Sequence, residues 1–131
     1  MTLFEKIIQA FKNKDLELLQ RLHHEDFMFV REFSMSSRDE HLASIAEWLP
    51  NANWQDHAQC IHEDDFVLIM RYPETDDKGV SYFISNVSIK HEGLYWRSMV
   101  KKDEKLKAHD TPSAINGTGG LLKSISSIRT V

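Results

Sequence analysis

The residues best suited to acid–base chemistry are a few carboxylates and imidazoles set among apolar and aromatic neighbours. Asp56, His57 and His62 lie on one segment, Trp54 to His62, whose alternation reads as a strand. On such a strand Asp56, Ala58, Cys60 and His62 share one face, and Gln55, His57, Gln59 and Ile61 share the other. If the first set faces inward, Asp56 and His62 are the candidate base and donor. If the second does, His57 takes that role, with Gln55 and Gln59 as polar partners. Neither face is clearly apolar, so both registers stand. Asp26 sits where a helical stretch gives way to Phe27-Met28-Phe29-Val30, and a buried carboxylate there would serve as a base. His41 lies four residues before Ile45 and flanks an apolar helical stripe. Tyr82 and Asn86 share a strand face with Ile84 and Ser88 and offer hydrogen bonds to a ligand oxygen. Burial in an apolar site moves such groups toward neutral pH, where proton transfer is most effective. Each also fits a structural role, as an exposed strand residue, a turn acceptor or a satisfied helix histidine.

Other chemistries find no support. His57 and His62 are five apart and point to opposite faces of a strand, while Cys60 and His62 share a face but make only two ligands. His23 and His24 diverge at a helix end. No metal or other cofactor is therefore expected. Gly117-Thr118-Gly119-Gly120 lacks the preceding strand and the Lys-Ser/Thr ending of a phosphate loop. The chain has no Gly-x-Ser-x-Gly elbow, and Cys60, its single cysteine, has no identifiable base and forms no internal disulfide.

Sixteen basic and twenty acidic residues give a net charge of −4, which argues against a nucleic-acid partner. Six basic and three acidic residues fall from Lys101 onward, so a basic tail follows an acidic body. No apolar run approaches the ~20 residues of a membrane span. Met1-Thr2-Leu3-Phe4-Glu5-Lys6 places charges where a signal peptide needs an apolar core, so the expected location is the cytoplasm.

The elements that must position these residues follow from periodicity and caps. Leu3, Phe4, Ile7, Ile8 and Phe11 form one helical face. Asp15 reads as the N-cap of a second short helix carrying Leu16, Leu18, Leu19 and Leu22 and ending near His23-His24. Ser37-Arg38-Asp39-Glu40 is a capping box opening a third helix, with Leu42, Ile45, Ala46 and Leu49 as its stripe and Pro50 as its stop. Period-two segments follow: Trp54 to His62, Phe66 to Tyr72, Gly79 to Lys90 and Leu94 to Lys101, with Pro73 to Lys78 as a polar loop. Phe83, Ser85, Val87 and Ile89 are the more apolar face of the third of these and are expected to meet the core helix. After Lys102 the composition turns linker-like, and Leu121, Leu122, Ile125 and Ile128 return at helical spacing, a stripe expected to dock on the body or a partner.

This order of elements resembles the NTF2-like superfamily in its polyketide-cyclase-like (SnoaL-like) branch. The residues carrying the resemblance are Leu3 to Phe11, Asp15 to Leu22, Glu25-Asp26-Phe27, Ser37 to Leu49, and the closing Glu92-Gly93-Leu94-Tyr95-Trp96-Arg97. It covers residues 1–102 and leaves 103–131 as a tail. The resemblance implies an α+β cone, with N-terminal helices packed in a strongly curved antiparallel sheet around a pocket. Similar proteins commonly pair through the outer face of the sheet, so a homodimer is implied. Asp26 occupies a position that often borders the pocket in such proteins. Where isomerase and dehydratase members place a Tyr in the first helix, this chain has Phe4 and Phe11.

The expectation is thus a pocket protein for a small, largely apolar molecule, with possible isomerase, dehydratase or cyclase chemistry. Asp26, His57 and Asp56 are its candidate catalytic residues. Phe11, Phe27, His41, Trp54, Tyr82, Asn86 and Trp96 are its candidate ligand contacts. The alternative is a non-catalytic dimeric binding or adaptor module.

Overall fold

A computed structural model describes residues 1–105, so the apolar stripe of the tail lies outside the described residues. Three helices, α1 (Leu3–Lys12), α2 (Leu16–Leu22) and α3 (Arg38–Trp48), pack against one curved six-stranded sheet. Its strands are β1 (His23–Val30), β2 (Met35–Ser37), β3 (Gln59–Glu63), β4 (Val67–Thr75), β5 (Ser81–His91) and β6 (Leu94–Lys105), in spatial order β2-β1-β6-β5-β4-β3. The architecture is α+β as expected, with one refinement. β1 runs parallel to β6, so the sheet is mixed, and every other neighbouring pair is antiparallel.

The helix caps are the ones the sequence indicates. The Asp15 carboxylate accepts the Leu18 amide, and Ser37 and Glu40 exchange both bonds of the capping box. The helix stripes close the core: Leu3, Ile7, Ala10 and Phe11 from α1, Leu19 and Leu22 from α2, and Leu42 and Ile45 from α3 are buried. The start of α1 is also tied to the far sheet edge. The Glu63 carboxylate accepts the Leu3 and Phe4 amides at 2.9 and 3.2 Å, using donors that a helix N-terminus leaves free. Lys90 donates to the same carboxylate at 2.7 Å. At the other end of the hairpin, Glu92 and Gly93 both take positive φ (56° and 77°), the geometry that lets a two-residue turn join β5 to β6 without splaying the strands.

Several expectations are corrected. Trp54–His57 is a single 3-10 turn, and the strand begins only at Gln59. The Trp54 ring packs edge-on against Phe11 (4.8 Å) and against Tyr72 (4.8 Å), and Gln55 donates back to the Ala52 carbonyl. Those contacts favour the turn over an extended chain. Pro73 to Lys78 is not wholly a loop, because β4 continues to Thr75. Pro73 is tolerated there because β3 pairs only with Leu68–Arg71, so no strand on that side calls for the missing N–H. His23 and His24 open β1 instead of closing α2.

The faces of β5 are the reverse of the expectation. Leu68, Met70 and Tyr72 on β4 stand opposite Ser88, Asn86 and Ile84, and this set points toward the helices. Phe83, Ser85, Val87 and Ile89 lie on the outer face, where Ile89 is 43% exposed. Phe83 is buried there because the Arg71 guanidinium lies 3.5 Å from its ring centroid. Polar residues can occupy the inner face because they satisfy one another, as described below.

Candidate functional site

Between the helices and the concave face of the sheet lies an open cavity of about 1670 Å3. Its walls are apolar and aromatic: Ile7 and Phe11 come from α1, Ile45 and Trp48 from α3, and Met70 and Ile84 from the sheet. Trp48 stacks on Phe11 at 5.5 Å, so α1 and α3 present a continuous aromatic surface. The mouth is polar, with Arg31, Glu32, Asp56, His57, Glu74 and Lys102 among its residues. Such a shape suits an amphipathic small molecule that enters apolar end first.

Two imidazoles reach this space. His23, at the start of β1, is 6% exposed, and its Nδ1 lies 2.6 Å from the Leu19 carbonyl oxygen. A carbonyl accepts only, so Nδ1 carries the proton and Nε2 keeps the lone pair. Burial lowers the His23 pKa to about 4; the Leu19 bond opposes this and the Arg38 charge adds to it. His41, on α3, stacks on Phe29 at 4.3 Å and sits 5.5 Å from His23, ring centre to ring centre. Burial lowers its pKa to about 3, helped by His23 and Arg31. Both rings are neutral at physiological pH, and a ligand meets them as uncharged hydrogen-bonding groups.

The sheet contributes phenols and small polar groups. Tyr95 on β6 is 3% exposed, stacks on His23 at 5.3 Å, and its hydroxyl is buried without a hydrogen-bond partner. Tyr72 on β4 shares a hydrogen bond with Asn86 on β5. Burial pushes both phenol pKa values well up, so each remains an O–H donor across the physiological range. Beneath them Ser88 donates to Asn86 at 2.8 Å, and Ser88 and Ser98 are bonded at 2.7 Å.

The sequence-derived residues divide between this cavity and other places. Phe11, His41, Trp54, Tyr82 and Asn86 line the cavity, and Asp56 and His57 are exposed at its mouth. Both face the same space because they sit on a turn, so the two alternative strand registers do not arise. Lys102 places its ammonium 4.5 Å from the Tyr82 ring centre at that rim. Three residues lie elsewhere. Asp26 is exposed and outside the cavity lining, its amide donating to His24 and its carbonyl accepting from Arg97. Phe27, 2% exposed, fills the core, edge-on to His23 at 4.7 Å. Trp96 lies under the Arg97 guanidinium at 3.9 Å, away from the cavity. His23, Tyr72, Tyr95 and Ser98 did not emerge from the sequence. The one available signal was period two on β4, which puts Tyr72 on the same face as Leu68 and Met70.

Away from the cavity, His24, His91 and Glu92 bring one possible ligand atom each within 4.8 Å of one another. His24 Nδ1 accepts the Asp26 amide, so its ring proton is on Nε2, the atom 3.7 Å from Glu92. That nitrogen presents an N–H toward the cluster, where a metal would need a lone pair.

No family model matches the chain, and no curated protein does. Solved structures do. An NTF2-like protein of unknown function from Burkholderia xenovorans LB400 superposes with a TM-score of 0.63 at 11% identity, covering 88% of this chain and 91% of that one. The chain has the NTF2-like fold. A ketosteroid isomerase-like protein from Kribbella flavida aligns at TM-score 0.59 and 13% identity over 88% and 85% of the two chains. An epoxide hydrolase of LEH-like type from M. tuberculosis aligns at 0.57 and 13% over 98% and 92%. Identities this low carry the fold and leave the chemistry to the site. Among the described residues no helix is long and apolar enough to cross a membrane.

Proposed function

We propose that this NTF2-like chain binds a small, largely apolar molecule in the cavity and acts on it by proton transfer, as an isomerase, dehydratase or cyclase does. The observation that carries this reading is the pairing of an apolar, aromatic wall with neutral imidazoles at His23 and His41. His23 Nε2, its lone pair kept free by the Leu19 bond, is the acceptor for a proton from the ligand. His57 and Asp56 at the mouth meet the polar end of the ligand and the solvent. Asp26, outside the lining, has no part in the reading. In this reading the protein is cytoplasmic and requires no cofactor.

Thermal-shift measurements against small hydrophobic ketones, acids and sterol-like compounds test the binding half. A ligand at about a hundred times its dissociation constant stabilises the fold by about 2.7 kcal/mol. Hits are then followed by NMR in D2O for exchange of carbon-bound protons beside the carbonyl, in wild type and His23→Gln. Catalysed exchange that the variant loses supports proton transfer, and exchange at the uncatalysed rate removes it. If no compound shifts the melting point, the pocket reading fails.

The second reading, a dimeric adaptor without catalysis, draws on the outer sheet face. Ile89 and Met99 are 43% and 40% exposed there, beside the half-buried Ile69 and Val87. A homodimer through that face would cover them. Sedimentation equilibrium of wild type and Ile89→Asp decides whether that surface pairs.

A further inference from the structure

The hydrogen bonds under the cavity run in one direction. Ser88 donates its single hydroxyl hydrogen to the Asn86 side-chain oxygen at 2.8 Å. The 2.7 Å bond between Ser88 and Ser98 must then be donated by Ser98. The contact between Asn86 and Tyr72 favours the phenolate, which identifies the Asn86 amide as the donor and the Tyr72 oxygen as the acceptor. The chain therefore passes from Ser98 through Ser88 and Asn86 to Tyr72, and the Tyr72 hydrogen is left to donate elsewhere. Each link polarises the next. Tyr95, one strand further on, holds a second buried hydroxyl with no partner at all. Each of the two phenols feels the other's charge state, so their hydroxyls act on one region. A buried polar group left unmade costs free energy, which a ligand acceptor would recover.

We propose that Tyr72 and Tyr95 form a two-donor site for a neutral, polarised oxygen, so that the ligand class is a ketone, above all a conjugated one, bound oxygen-inward. The proposal rests on the cavity reading above and names the chemistry of its ligand. Two uncharged donors suit a carbonyl better than a carboxylate, because a carboxylate loses far more hydration on entering an apolar site and meets no cation on the cavity side of these phenols to offset it. The aromatic wall then holds the hydrocarbon, and the carbonyl sits within reach of the face of the site that carries His23.

The test compares three bicyclic probes of one shape: 1-tetralone, tetralin, which lacks the oxygen, and tetralin-1-carboxylate. Affinities are measured by calorimetry on the full chain, wild type, Tyr95→Phe and Tyr72→Phe. The expected order is 1-tetralone about tenfold or more above tetralin, with the carboxylate weakest. Each single variant should lower 1-tetralone affinity several-fold and leave tetralin unchanged. In the infrared, the bound tetralone carbonyl stretch should lie at lower frequency in wild type than in either variant. Equal binding of tetralone and tetralin, or tightest binding of the carboxylate, overturns the ketone site while leaving the cavity reading intact. Failure of all three probes to bind overturns both. Because Tyr95 makes no internal bond, Tyr95→Phe should also leave the urea midpoint of the free protein unchanged or raised. A clearly lowered midpoint would show that the hydroxyl serves the fold, and the proposal would fall.

Discussion

Replacing Glu63 by Gln tests how the helices are fastened to the sheet. The Glu63 and Lys90 side chains are each 10% exposed and meet at 2.7 Å. The same carboxylate accepts the first two amides of α1. Glutamine keeps the shape and one acceptor oxygen but leaves the Lys90 ammonium buried without a countercharge. Breaking a buried pair from one side typically costs 3–5 kcal/mol. Lys90 retains its bond to the Asp64 carbonyl at 2.6 Å, which places the expected loss at the lower end, about 3 kcal/mol. For a domain of this size that is a fall of roughly 10 °C in melting temperature. Lys90→Met alone should cost less, about 1–3 kcal/mol, because the two amides still hold the carboxylate. The double variant should lie well below the sum of the singles, since it removes the stranded charge. Urea unfolding followed by circular dichroism reads all four corners of the cycle. Glu63 also has a pH signature. Burial alone would raise its pKa, but the Lys90 bond and the Phe4 and Leu3 amides outweigh it and hold the value below normal. Its stabilisation is therefore present above the unfolded value of about 4.3 and is lost as pH falls through the folded value. The glutamine variant should lack that component. Strictly additive costs, or a Glu63→Gln loss under 1 kcal/mol, would refute the account of a buried clamp.

Two further outcomes follow from the same contacts. His23 has its folded pKa lowered to about 4 by burial, so the unfolded chain binds a proton first as pH falls below about 6.5. Stability should therefore drop by about 3 kcal/mol between pH 6.5 and 4, and urea midpoints taken across that range should flatten in His23→Leu if the ring is the cause. Ser88→Ala strips the central link of the inner hydroxyl chain, leaving the Asn86 oxygen and the Ser98 hydroxyl without it; at 0% exposure that should cost about 1–3 kcal/mol, and a neutral outcome by urea unfolding would mean the chain is not a connected network.

The local features of this protein were legible in its sequence because they depend on near neighbours. The α1 stripe of Leu3, Ile7 and Phe11, the Asp15 cap, the Ser37–Glu40 capping box and the Glu92-Gly93 turn all appear where spacing and residue type put them. Each is decided within about four residues by helix geometry or by a φ preference. The element order was enough to indicate the fold, and five of the ligand-contact candidates reach the cavity.

What the sequence left open is which way strands face and which distant residues meet. Period two on β5 defines two faces but not the buried one, and the more apolar face turned out to be the outer one. Its inner polar groups are affordable only because Asn86 and Ser88 meet Ser98 from β6 and Tyr72 from β4. Trp54 became a turn because its ring finds Phe11 from α1 and Tyr72 from β4. The site itself takes His23 from β1, His41 from α3, Tyr72 from β4 and Tyr95 from β6, positions separated by up to half the chain. Their neutral imidazoles and protonated phenols are products of burial, and burial is a property of the assembled molecule: sequence order sets the local geometry of each strand, while only the closing of helices over the curved sheet decides which side chains lose their water.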